Sequence, residues 1–326
     1  MGEGATKTRL KFTWMNLIRH LMQSNISLFL KPALLLLSLV ICACGARQDL
    51  YGQQVKRVND LTLQAEQSYL KGDLKRADRG FSRALELSRA VDYPKGVAQQ
   101  LNNLGAVALE EGDLARARQL FTEAYQLNEE RRDWQEASTN QANLATVAQK
   151  AGDWQQAESH LRLAQDEAQR ALSKAALGWV RCRWASYHLD RNNLAAAQDF
   201  LTQAQPLATT PALKGALYHQ WGRLSLAQGD TAAALAYFDL ALKADREVLD
   251  RGAMAADLFC LGETHQVRGE LPRAFFYYNR AFDVYAALGK KARLTECLKR
   301  LTEVNSQGHL GYSLDSFARH PLLAGP

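Results

Sequence analysis

The chain has 326 residues, 47% of them hydrophobic and 23% charged, with a formal net charge of +6. This is the composition of a folded chain and excludes a low-complexity or wholly disordered one. The basic excess does not point to nucleic acid. Five Lys and Arg against Glu3 put +4 into residues 1–43, which leaves +2 over the remainder and no dense cationic stripe for phosphates.

Residues 1–43 read as a leader: basic positions precede an apolar run from Pro32 to Ala43, which ends at Cys44-Gly45. That run is too short for a bilayer core, which needs about 20 residues. Its end, Ile41-Cys42-Ala43-Cys44, resembles the bacterial lipobox, in which an aliphatic residue, a tolerant position and a small residue precede the lipidated cysteine. The resemblance implies lipidation of Cys44 and anchoring in a bacterial cell envelope. Gly45, in place of Asp, implies the periplasmic face of the outer membrane. A plain signal peptide and an uncleaved anchor are the alternatives. Residues 44–57 are expected to be a short linker. Of the remaining cysteines, Cys182, Cys260 and Cys297, none forms a Cys-x-x-Cys, so zinc and thioredoxin-like chemistry lack their spacing. They read either as small buried hydrophobes or as a Cys260–Cys297 bridge and a spare thiol.

From residue 58 the chain repeats itself. Gly72-Asp73, Gly112-Asp113, Gly152-Asp153, Asn192-Asn193, Gly229-Asp230 and Gly269-Glu270 recur at intervals of 40, 40, 40, 37 and 40 residues. Behind each lies a small–bulky–small triplet, as in Ala77/Phe81/Ala84, Ala117/Phe121/Ala124 and Ala274/Tyr278/Ala281. Seven residues ahead sits Ala65, Gly105, Ala145, Ala185, Gly222 or Gly262. The Gly or Asn suits the left-handed position that ends a helix, and the Asp or Asn after it caps the next one. Spacings of four and three put the triplet on one helical face. One helix pair cannot bury such a face alone, so neighbouring pairs must stack.

Leu104-Gly105, Gly112-Asp113, Ala117, Phe121 and Ala124 resemble the tetratricopeptide repeat family over about residues 58–285. The expected fold is all-α: a right-handed α–α superhelix of six repeats of about 40 residues, closed by a capping helix at 292–304. The solenoid thus spans 58–304, with a tail at 305–326. In that family the first helix of each repeat lines a concave groove. The resemblance places Tyr69, Asn102, Asn103, Asn143, Thr146, Trp179, His219, Arg223 and Phe259 there. Asn103 and Asn143 share one repeat position. There they can hold a ligand backbone, since an amide both donates and accepts, or they can bond a neighbouring helix. The basic clamp of some relatives is missing, with Thr62, Glu66 and Thr139 in its positions.

Catalysis has no sequence support: Gly-x-Ser-x-Gly, Walker, His-Glu-x-x-His and dinucleotide-binding patterns are all absent. His188 and His265 occupy equivalent core-facing places and read as packed side chains rather than metal ligands. Neither a metal nor a cofactor is expected. Phe275, Phe276, Tyr277, Tyr278, Phe282 and Tyr285 crowd one helix, so the tail with Leu310, Tyr312 and Phe317 either folds back over them or leaves a docking patch. The functional expectation is a non-catalytic scaffold for envelope proteins or extended peptide segments, held to the membrane by its lipid. Nucleic acid is excluded as a partner. The alternative is a regulatory receptor that senses a short peptide.

Overall fold

The computed structural model describes residues 30–323, and of residues 30–49 the backbone only. The basic start of the leader lies outside the described residues, and of Cys44 only the backbone is described. The chain divides into two compact units, Met1–Arg57 and Val58–Pro326. Fourteen helices and no strand are present among the described residues. Helix α1, Leu30–Leu70, is continuous through the stretch expected as a linker. No Pro interrupts it after Pro32, so nothing in the sequence forces a break. No helix among the described residues is long and apolar enough to cross a membrane.

The end of α1 pairs with α2 (Leu74–Ala90). The following pairs are α3 (Pro94–Glu111) with α4 (Leu114–Glu130), α5 (Trp134–Lys150) with α6 (Trp154–Arg170), and α7 (Lys174–Asp190) with α8 (Leu194–Ala204). Then come α9 (Pro211–Ala227) with α10 (Thr231–Val248) and α11 (Arg251–Val267) with α12 (Leu271–Ala287). Helix α13, Lys291–Gln307, closes the row as expected, and a short α14, Asp315–Ala318, lies in the tail. The expected all-α superhelix is the observed one.

The punctuation works as its chemistry requires. Gly112 and Gly229 adopt φ of 85° and 82°, where a Cβ would be strained, and Asn192 manages 56°. Asp73, Asp113, Asp153 and Asp230 each accept the backbone N–H three residues on, at 2.9–3.0 Å. Glu270 reaches no such N–H and instead ties His265, Arg268 and Arg273 together. The interval of 37 residues has a local cause: Pro206, which lacks an N–H, stops α8 after 11 residues, and a single 3₁₀ turn, Gln205–Leu207, follows.

Inside each pair, slot volume is shared between two positions. Gly105, Gly222 and Gly262 face Phe121, Phe238 and Tyr278 so closely that a Cβ would stand 2.6–2.7 Å from the ring. Where the bulky partner is Leu161 or Leu201, the small residue is Ala145 or Ala185, fully buried. The first pair moves its glycine to the opposite helix, where Gly80 lies against Ala65.

Of the two readings for the tail, the structure takes the fold-back. Tyr312 lies 4.4 Å from Phe275 and Phe317 5.0 Å from Phe282, ring to ring. The Asn305 side chain donates to the Tyr312 carbonyl and accepts its N–H, at 3.0 and 3.1 Å. Cys182, Cys260 and Cys297 are all free thiols. Burial pushes Cys182 and Cys297 up to about 12, which makes them poor nucleophiles.

Candidate binding channel

Successive first helices pack directly on one another, α3 on α5, α5 on α7, α7 on α9 and α9 on α11, and so form the inner wall of the superhelix. Within residues 58–323 the wall comes full circle. Leu288, at the end of α12, sits so tightly on Gly72, at the end of α1, that a Cβ there would lie 2.5 Å from the Leu288 Cα. Lys290 forms an ion pair with Glu110 of α3, 180 residues away in sequence. Tyr69, on α1, feels the charges of Glu110, Asp250 and Arg183; burial, the largest effect, and the two carboxylates raise its pKa. Repeats one and two therefore face repeats four to six.

A polar row runs along that wall, nine residues before Gly112, Gly152, Asn192 and Gly229: Asn103, Asn143, Arg183 and Gln220; the same position in the first and last repeats holds Leu63 and Cys260. Asn103 Nδ2 is buried with no partner among the described residues. Asn143 donates through Nδ2 to Asn102 Oδ1 at 3.0 Å. Gln220 Oε1 accepts from Arg223 at 3.0 Å. Arg183, half-buried, makes no hydrogen bond or ion pair among the described residues, and burial lowers its pKa. The other inner-wall guanidiniums differ in this respect. Arg223 pairs with Asp190 at 2.6 Å, and Arg300, on α13, with Glu263 at 3.3 Å.

The residues expected in the groove thus separate into two sets. Asn103, Thr146, Trp179 and Arg223 lie on the wall with Asn143, and Tyr69 stands opposite Arg183; Trp179 keeps 38% of its surface exposed. Asn102, His219 and Phe259 turn sideways into the joints between repeats. Asn102 accepts from Asn140 Nδ2 at 3.0 Å, His219 Nδ1 lies 2.7 Å from Asp257 Oδ1, and Phe259 rests 5.2 Å from the Tyr278 ring. His188 packs beside Trp184 and Phe200, whose rings also meet each other, and His265 stacks against Tyr277, so both are packed side chains.

Those sideways residues belong to a recurring slot at every joint, built from one first helix, its second helix and the next first helix. Its members at successive joints are Thr62/Ser88/Gln100, Asn102/Asn128/Asn140, Ala142/Ala168/Val180, Cys182/Ala208/Leu217, His219/Asp245/Asp257 and Phe259/Tyr285/Cys297. The first, second and fifth are polar. Gln100 Nε2 donates to Thr62 Oγ1 at 2.9 Å and Asn128 Nδ2 to Asn140 Oδ1 at 2.9 Å. The other three are part of the hydrophobic core. Reading by motif misses both Arg183 and the slot. The available signal is a polar pair 38 residues apart, which recurs as Thr62–Gln100, Asn102–Asn140 and His219–Asp257.

No group of three or more His, Cys, Asp or Glu among the described residues is placed to hold a metal ion. No family model matches the sequence. No curated protein matches it either. Solved structures do. The Rap conjugation gene regulator of plasmid pLS20, in complex with the Phr* peptide, is 14% identical over 83% of this chain and 73% of its own, with a TM-score of 0.64. A Rap protein complexed with competence and sporulation factor is 15% identical over 80% and 87%, with a TM-score of 0.55. A signal-transduction ATPase from Pyrococcus horikoshii with a tetratricopeptide repeat sensor is 15% identical over 82% and 40%, at 0.53. At such identities the likeness establishes the fold, the tetratricopeptide superhelix.

Proposed function

We propose that this protein is a non-catalytic adaptor whose channel holds an extended peptide segment of a partner protein. The observation that carries the reading is the polar row on the inner wall, with Asn103 Nδ2 unpartnered and Arg183 unpaired among the described residues. An extended chain presents an unpaired N–H or C=O every few ångströms, which amides satisfy, and a carboxylate on it would pair with the free guanidinium. Trp179, beside them, offers an apolar face to a side chain. We further propose that a lipid on Cys44 tethers the adaptor to the periplasmic face of the outer membrane, where its partners are envelope proteins. Several acyl chains, at about 0.8 kcal/mol per buried CH₂, bind a bilayer far more firmly than one.

The test is crosslinking capture from membranes with a photoreactive residue in place of Trp179. Wild type should capture discrete envelope proteins. Asn103→Ala with Asn143→Ala, and separately Arg183→Gln, should each cut the yield roughly tenfold while helical circular dichroism holds. Hydrogen bonds of about 0.5–1.5 kcal/mol, and more to a charge, add up to that loss. Unchanged capture with an earlier melt would return the asparagines to the scaffold. Cys44→Ser should release the chain from membranes, and an unmodified Cys44 on the mature protein would remove the anchor from the proposal.

A second reading, a receptor that senses a short peptide, draws on the closed circumference. Because Leu288 and Lys290 meet Gly72 and Glu110, a ligand entering sideways must part them. One of the structural neighbours was solved with the Phr* peptide bound, and another in complex with competence and sporulation factor. A scattering profile that changes on adding captured peptide favours the receptor; a constant profile favours the adaptor.

A further inference from the structure

The fifth joint departs from the other polar ones in the chemistry of its slot. Thr, Ser, Gln and Asn can be satisfied without ionising, but His219, Asp245 and Asp257 bring two acids together. Asp257 is fully buried and Asp245 is 4% exposed. Asp257 Oδ1 lies 2.7 Å from His219 Nδ1, while Oδ2 is buried and meets no N–H donor among the described residues. Its neighbour is the Asp245 carboxyl, which is seated in the space left by Gly215. An acceptor buried against another carboxylate is satisfied by a proton held between the two.

We propose that this triad is a proton-gated hinge: when the proton held between Asp245 and Asp257 is lost, repeats five and six part and the superhelix opens at its seam. Asp245 in its acid form donates O–H to Asp257 Oδ2, and the Asp257 carboxylate accepts both that bond and the His219 N–H. Deprotonation leaves two bare carboxylates in contact, and water must enter to solvate them. Repeat six and α12 carry Leu288 and Lys290, so movement at this joint pulls both away from Gly72 and Glu110.

The surrounding groups do not neutralise the pair. From α9 come His219 and Arg223, and Arg223 is committed to Asp190. Asp250, at the turn before α11, adds repulsion to both acids. Cys260 and Glu263 face them from α11, and Arg293 stands beyond these on α13. Burial first, and then repulsion from Asp257, raises Asp245 to about 8. Burial also raises Asp257, but the hydrogen bond from Asp245 acts on it in the opposite direction and leaves it the ionised partner. Burial, with Arg223 second, lowers His219 to about 4, so its imidazole is neutral at the joint. A raised acid stabilises the closed form at low pH, and that stabilisation is lost as pH climbs through the folded value. A lowered histidine acts in the opposite sense and costs stability only as pH falls from the ordinary imidazole range towards about 4. The stabilisation therefore fades as pH rises from the ordinary carboxylate range and is fully lost above about pH 8.

The experiment follows the full chain by small-angle scattering and by hydrogen exchange of α11 amides, corrected for intrinsic rates, between about pH 6 and about pH 9. Wild type should expand, with exchange in α11 rising roughly tenfold or more. Asp245→Asn keeps a donor towards Oδ2 without a second ionisable group, so it should stay compact across the range. If that variant does not fold, His219→Ala with Asp245→Ala and Asp257→Val rebuilds the slot as Ala142/Ala168/Val180 already is. This version should likewise be closed and indifferent to pH. A wild type that does not change over this range, or variants that open as the wild type does, would overturn the hinge.

Discussion

Replacing Gly105 by alanine and Phe121 by leucine in the same chain should cost less stability than the two changes made separately. The reason lies in the shared slot. A Cβ on Gly105 would meet three atoms of the Phe121 ring at 2.7, 2.8 and 3.0 Å, the first two closer than real contacts allow. Forcing it in costs about 1–3 kcal/mol of overpacking, of which the better helix propensity of alanine returns about 0.5–1. Phe121→Leu alone leaves a void in a fully buried site and should cost about 1–2 kcal/mol. Together the new methyl occupies part of that void, in the combination that Ala145 with Leu161 and Ala185 with Leu201 already use. The expected coupling is about 1–2 kcal/mol in favour of the double variant, read from urea unfolding of all four proteins. Losses that simply add, within about 0.5 kcal/mol, would show that the two positions do not share one volume.

Three further outcomes follow from particular contacts. Asn128→Ala strips Asn140 Oδ1 of its buried donor and should destabilise by about 1–3 kcal/mol; adding Asn102→Ala and Asn140→Val, to copy the apolar third slot, should recover most of it in the same unfolding assay. Leu172 holds φ 51° at a turn between repeats with 90% of its surface in water, so Leu172→Gly should raise stability by about 0.5–1 kcal/mol; a lower melting temperature would show that this backbone carries no such cost. Cysteines replacing Glu110 and Lys290 should join under mild oxidation and slow the chain on a non-reducing gel, and failure to join would mean that the two ends of the superhelix do not meet.

Legibility in the sequence depends on how local the chemistry is. Gly112-Asp113 and its counterparts announce a helix end and the next helix start within a few residues, and so the six pairs can be counted from the amino-acid sequence alone. Ala117 and Phe121 likewise carry their burial in a spacing of four. The groove is legible only by register, and register places a residue on a helix face without saying which neighbour it turns towards. Asn102 and Asn103 are adjacent, yet one is bound into a joint and the other is left with an unpartnered amide. Arg183 escapes notice because its isolation comes from a wall assembled by four repeats, and no short window contains it. The meeting of Leu288 with Gly72 is out of reach for the same reason: it sums the small rotations of every joint between them.

That meeting also bears on how this chain can evolve. An open solenoid gains or loses a unit at small cost, because each repeat touches only its neighbours and duplication merely lengthens the row. Here one more unit of 40 residues, inserted anywhere between Gly72 and Leu288, would carry the far end past its contacts on Gly72 and Glu110. The three residues trimmed at Pro206 have the same standing, since their return would alter the accumulated rotation that brings the ends together. Repeat number and repeat length are thus fixed jointly by circumference, and descendants of this chain are expected to vary by substitution along the wall rather than by copying units.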